Sequence, residues 1–121
     1  MVGSGGGELL LKNPSNREIL KEILMYEQGT RADQHAWVIT PNHVHMLFTP
    51  LTPLPSLMKS WKGISARKIG LSRIWQKNYR DTLIRDASHF ANAVRYIRRN
   101  PKNLQLGTFT LWESDRAKEV K

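Results

Sequence analysis

Two short runs either side of a tight turn constrain the fold of this 121-residue chain more than any other feature. The first, His35 to Thr40, is apolar and β-branched. The second, His43 to Phe48, alternates. Pro41-Asn42 separates them. Period-two patterning marks strands, and a Thr-Pro-Asn junction between such runs marks a turn, so 35–48 reads as a β-hairpin.

Helices flank this hairpin in the sequence. Asn13-Pro14-Ser15-Asn16 is a helix start, with Ser15 or Asn16 as the cap. Ile19, Leu20, Ile23, Leu24 and Tyr26 follow at helical spacing, and Gly29-Thr30 ends the run. Pro50, Pro53 and Pro55 predict a loop. A second helix is expected over about 56–69, with Leu57, Met58, Trp61, Ile64 and Ala66 as packing positions. Trp75 to Ile84 alternates and reads as a strand. Asp86 can cap a third helix over about 87–99, which Asn100-Pro101 stops. Its apolar face is Phe90, Ala93, Val94 and Ile97. The order predicts a single α+β domain with helices on one face of an antiparallel sheet. By this reading 1–7 is a flexible Gly-rich lead, 8–107 the folded domain and 108–121 a polar tail, in which Thr108 to Trp112 could form a short strand.

Composition narrows the function classes. Hydrophobic residues make up 40% of the chain, enough for a folded core. The sequence has no apolar run of about 18 residues, so no membrane span is expected. The N-terminus does not read as a signal peptide. With no cysteine, disulfides and thiolate metal sites are excluded, which suits a cytoplasmic protein. The formal net charge is +9, and the pI is about 10.3. Residues 1–50 carry four Lys/Arg against five Asp/Glu, whereas 51–121 carry fifteen against five. Such asymmetry points to one basic face and a polyanionic partner. A ribosome-associated or merely basic protein is the plainer reading.

Three groups of residues could carry chemistry. His43 and His45 are two apart on a strand, so both imidazoles project from the same face while Val44 points into the core. Paired neutral imidazoles can begin a divalent-metal site, but on an exposed sheet face they need do nothing. On the third helix, Tyr96 and Asn100 are four apart and share a face beside the apolar stripe. Asn92 lies one turn earlier, and Arg95, Arg98 and Arg99 surround them. Tyr96 is either a flank residue of the core or a nucleophile, its surrounding cations stabilising a phosphate under attack. In the second case the amide at i+4 could supply an oxygen to the same metal. In the middle segment, Lys59, Lys62, Arg67, Lys68, Arg73, Lys77 and Arg80 interleave with Trp61, Trp75 and Tyr79. Phosphates want the cations and unstacked bases want the aromatic faces, although some of these rings belong in the core.

Four blocks in order carry a family resemblance. Ala36-Trp37-Val38-Ile39-Thr40-Pro41-Asn42-His43-Val44-His45-Met46-Leu47 resembles the His-hydrophobic-His block of the REP-associated tyrosine transposases, in the single-tyrosine HUH transposase superfamily. Ser60-Trp61-Lys62-Gly63-Ile64-Ser65-Ala66 resembles a helix of that family. Ile74 to Asp81, with Ile84-Arg85-Asp86, and Val94 to Lys102 resemble two further blocks. The resemblance covers roughly 8–107. It implies a ferredoxin-like fold and magnesium- or manganese-dependent cutting of single-stranded or hairpin DNA. It also implies His43, His45 and Asn100 as metal ligands and Tyr96 as the nucleophile of a 5′-phosphotyrosine link. The cations at 59, 62, 67, 68, 73, 77, 80, 95, 98 and 99 would bind DNA. A decayed relative that grips structured DNA without cutting it, and an unrelated basic RNA-binding protein, are the competing readings.

The family has a further central strand ahead of the segment that begins near Glu8. Here MVGSGGG stands in its place. The sequence therefore predicts an open edge beside the histidine strand. From that edge follows either a homodimer sharing a strand or an aggregation-prone monomer.

Overall fold

The computed structural model describes residues 2–5, 9–41, 43–70, 80–81 and 83–121. Strand β1 is Val2–Gly5, followed by a 3-10 turn at Leu9–Lys12 and helix α1 at Pro14–Met25. The hairpin follows as β2, Ala32–Ile39, and β3, His43–Pro50. Helix α2 is Leu54–Ile69, β4 is Arg80–Asp81 and α3 is Ala87–Arg99. Strand β5, Thr110–Glu113, and a one-turn helix α4, Asp115–Lys118, complete the order. Among the described residues no helix is long and apolar enough to cross a membrane.

Local chemistry explains the boundaries. Pro14 has no N–H to lose at the first position of α1, and the Asn13 side chain accepts the Ser15 N–H at 2.9 Å. The cap is therefore Asn13, ahead of the expected Ser15 or Asn16. Gly70 ends α2 at φ +70°, a conformation that costs a Cβ-bearing residue energy. Asp86 caps α3 as expected, its carboxylate accepting the His89 N–H at 2.8 Å.

The sheet order is β4-β1-β3-β2-β5. Strands β1 to β4 with α1 and α2 trace the β-α-β-β-α-β path of a ferredoxin-like fold. This corrects the expectation of an open edge. Val2–Gly5 pairs antiparallel with β3 in the register Val2↔Met46, Gly3↔His45, Ser4↔Val44, Gly5↔His43. A ladder needs only backbone N–H and C=O groups, which Gly and Ser carry as well as any β-former. Residues 2–5 are thus part of the sheet rather than a flexible lead, and the ground for a strand-sharing dimer is gone. The expected strand at 75–84 is described only at β4; 71–79 and 82 lie outside the described residues.

A second correction concerns the layers. Helices cover both faces of the sheet, not one. Leu20, Ile23 and Leu24 of α1 and Leu57, Met58 and Trp61 of α2 pack on Trp37, Ile39, Val44, Met46 and Phe48. Phe90, Ala93, Val94 and Ile97 of α3 pack with Ala117 on Ala36, Val38 and Leu47, from the other side. The unbroken apolar run Ala36-Trp37-Val38-Ile39 is the signature of a strand covered twice. Trp37 is fully buried, stacked on Trp112 with ring centroids 5.9 Å apart.

Residues 108–121 are not a loose tail. Strand β5 pairs with β2, Trp37 opposite Trp112. Arg17, nearly fully buried, donates to Leu11 O, Lys12 O, Gly107 O and Thr110 Oγ1. Four acceptors offset the cost of burying its charge and bind α1 to the C-terminal segment.

Candidate active site

The turn that sets the histidines is built by Thr40. Its N–H donates to His43 O at 2.9 Å, and its Oγ1 accepts the His43 N–H at 3.1 Å. This buried threonine is the first residue of the Thr-Pro-Asn junction that marks the turn in the sequence. From there alternation sends His43 and His45 to the α3 face and Val44 and Met46 to the other core. The two imidazoles lie nearly parallel, 15° apart in plane, with centroids 5.8 Å apart.

Helix α3 brings Tyr96 to them. Its ring meets His45 edge-on, with centroids 5.5 Å apart and planes at 84°. Tyr96 is 44% exposed, so a substrate can approach the phenol from solvent. Asn100 closes the last turn of the same helix, its N–H directed at Tyr96 O and Ile97 O, and is half-buried. The two histidines of the hairpin and Tyr96 of α3 thus form one constellation.

Directly opposed residues of an antiparallel pair share a face, and the partners of His45 and His43 on β1 are Gly3 and Gly5. Neither carries a side chain, so nothing rises from β1 beside either imidazole. Gly3, Ser4 and Gly5 stand opposite His45, Val44 and His43 in the register.

Burial, and after it the neighbouring His43, push the His45 imidazole below the ordinary histidine range. A neutral imidazole keeps a lone pair for a cation at neutral pH. Among the described residues no group of three or more His, Cys, Asp or Glu could hold a metal. The donor set therefore fits a divalent ion only if the two imidazoles are completed by an amide oxygen, such as that of Asn100, by water or by a substrate phosphate.

The cations proposed from the sequence divide. Lys59, Lys62, Arg67 and Lys68 lie on α2, across the sheet from the histidines. Arg95 donates to Lys121 O at 2.9 Å and to Asn92 Oδ1 at 3.1 Å. Arg98 is committed elsewhere: its Nη2 meets Glu113 Oε1 at 2.7 Å and also donates to Ala117 O. The hydrogen bond to Glu113, opposed by burial and aided by the carboxylate's charge, raises the guanidinium above its ordinary range. Arg98 is a brace between α3 and the C-terminal segment. Arg99 is exposed. Arg73 and Lys77 lie outside the described residues, as do Trp75, Tyr79 and the side chain of Arg80. Trp61 is a core residue, edge-on to Phe48 at 5.1 Å, and is not a platform for bases.

No family model matches the chain. Over 82 residues it is 30% identical to the REP-associated tyrosine transposase of Escherichia coli (strain K12), an alignment covering 65% of this chain and 50% of that protein. The chain thus spans about half the length of the curated relative. A solved structure of a REP-associated tyrosine transposase bound to a REP hairpin superposes with a TM-score of 0.66 at 22% identity, covering 84% of this chain and 65% of that one. The fold is therefore shared with that structure.

Proposed function

We propose that this chain is a tyrosine transposase of the REP-associated kind. It cuts and rejoins single-stranded DNA at hairpins or palindromic repeats through a 5′-phosphotyrosine. The observation that carries the reading is the contact of Tyr96 with His45, beside a second imidazole stacked at 5.8 Å. Similarity to the transposase of Escherichia coli supports it.

In this reading the phenolic oxygen of Tyr96 bonds to the scissile phosphorus and the P–O3′ bond breaks. The proton given up by the phenol balances the one taken up by the leaving 3′ oxygen. His43, His45 and the Asn100 amide would hold magnesium or manganese, which supplies charge to polarise the phosphate. The α3 backbone fixes Tyr96 over the strand, so the nucleophile is positioned before DNA arrives. The competing reading, a module that grips DNA without cutting, rested on an absent strand, and β1 supplies that neighbour to β3.

The test is incubation with a labelled library of single-stranded hairpins in manganese, followed by a denaturing gel. A protein–DNA adduct that vanishes in EDTA and in His43→Ala or His45→Ala is expected. An adduct that forms equally well in EDTA removes the metal from the account.

A further inference from the structure

A second cavity opens on the same sheet face as Tyr96, towards the opposite end of α3. It has a volume of about 340 Å³ and is lined by His35, Thr49, Arg85, Asp86, Phe90 and Arg116, among others. Thr49 lies four residues beyond His45 on β3, about 13 Å along the strand. Phe90 lies six residues before Tyr96 on α3, about 9 Å along the helix.

Its walls are built. The irregularity between Gln34 and Ala36 places His35 out of the regular register. His35 is buried, its Nε2 lies 2.8 Å from Thr49 Oγ1, and its ring meets Phe90 edge-on at 5.4 Å. The Arg116 guanidinium lies over the Phe90 ring, with Cζ 4.4 Å from the centroid, and Arg116 is exposed. The exposed Arg116 therefore sets a planar cation against an aromatic ring at the rim of the cavity. Guanidinium planes of this kind stack unpaired bases. Asp86 accepts the His89 N–H as the cap of α3, and its carboxylate shares the rim with two cations, Arg85 and Arg116. The volume lies at the low end of small-ligand cavities, the scale of a single nucleotide rather than a duplex. With Trp61 in the core, this is a stacking surface on the reactive face.

We infer that this cavity receives one unpaired nucleotide of the DNA strand cut at Tyr96, its base laid on the Arg116 plate and its phosphate held by Arg85. The inference rests on the function proposed above and adds to it a specific subsite.

The experiment compares two fluorescein-labelled DNA hairpins by anisotropy, one with a four-nucleotide unpaired flank and one blunt, using the full chain at fixed salt. Arg116→Ala is expected to weaken binding of the flanked hairpin about tenfold, the scale of one base–plate stack, and of the blunt hairpin less than twofold. Arg116→Lys keeps the charge but not the plane, so it should lose most of the flank preference. In the wild type, one abasic position in the flank should reproduce the loss, and it should cost Arg116→Ala nothing further. Arg85→Ala should weaken the flanked probe alone, by about threefold, as expected for one phosphate contact. Thermal transitions matching the wild type show that each exposed-site variant is folded. Equal weakening of both probes, full retention by Arg116→Lys, or additive abasic and Arg116→Ala losses overturns the inference. A wild type that forms the Tyr96 adduct yet binds both hairpins equally overturns the subsite alone. A wild type that binds neither probe and forms no adduct overturns the function on which it rests.

Discussion

Along β3 the side chains divide between two regions that share a backbone but not a task. Val44, Met46 and Phe48 enter a core closed by α1 and α2, in which Trp37, Leu20, Leu24 and Leu57 are almost wholly inaccessible. His43 and His45 face the opposite layer, where α3 covers only part of the sheet and leaves Tyr96 open to solvent. One layer is packed between the sheet and two helices. The other is packed around Ala36, Val38, Leu47 and Val94, and beside the imidazoles β1 contributes Gly3 and Gly5. A strand with period two lets rigidity and reactivity lie one residue apart, and the rigid layer holds the reactive one in position.

Adjacent substitutions break this comparison most sharply. Met46→Ala should cost about 2–5 kcal/mol, the range for emptying a packed core site, read as a fall in the denaturation midpoint. His45→Ala, one residue away, should remove DNA cleavage while costing much less stability. Equal losses of stability would mean that the two layers are not distinct.

The next contrast lies within the arginines of α3. Arg98→Ala breaks a partly buried, bidentate pair with Glu113 and should cost roughly 1–3 kcal/mol, with little change in DNA affinity. Arg99 is exposed, so Arg99→Ala should leave stability within about 0.5 kcal/mol. If Arg99 meets a phosphate, the same change lowers the salt slope of DNA binding by about one. The reverse pattern would return Arg98 to the DNA surface.

The smallest effect is set by pH. Burial, reinforced by Arg116 and opposed by Asp33, pushes His35 below the ordinary histidine value. The unfolded chain then takes up a proton more readily than the folded one. The contribution of His35 is fully present above about pH 6.5 and is lost as pH falls below it. Thermal midpoints should therefore drop between pH 7 and pH 5, and less so in His35→Asn. A midpoint that rises on acidification contradicts the assignment of a buried neutral ring.

Much of this was legible before the fold was known. The hairpin, the three helices and the apolar face of α3 follow from periodicity, and the Asp86 cap from its place before Ala87. His43 and His45 share a face by arithmetic, and Tyr96 and Asn100 by helical spacing. The contact between the two pairs was not readable, because it depends on how α3 crosses the sheet. The strand at Val2–Gly5 was hidden because glycine signals flexibility locally and becomes a strand only when a partner supplies the hydrogen bonds. The bracing role of Arg98 was hidden for a similar reason: its carboxylate partner, Glu113, lies on a different element. Charge in a sequence does not reveal which cations are already paired.

The central claim is that Tyr96 is the nucleophile, and mapping the covalent link tests it most directly. The manganese reaction of the full chain with a flanked single-stranded hairpin should be digested with trypsin and nuclease, and the peptides weighed. A nucleotide mass on the peptide Tyr96-Ile97-Arg98, absent from Tyr96→Phe, is the expected result. A nucleotide on the peptide containing Tyr79, or an adduct that survives in Tyr96→Phe, would contradict it.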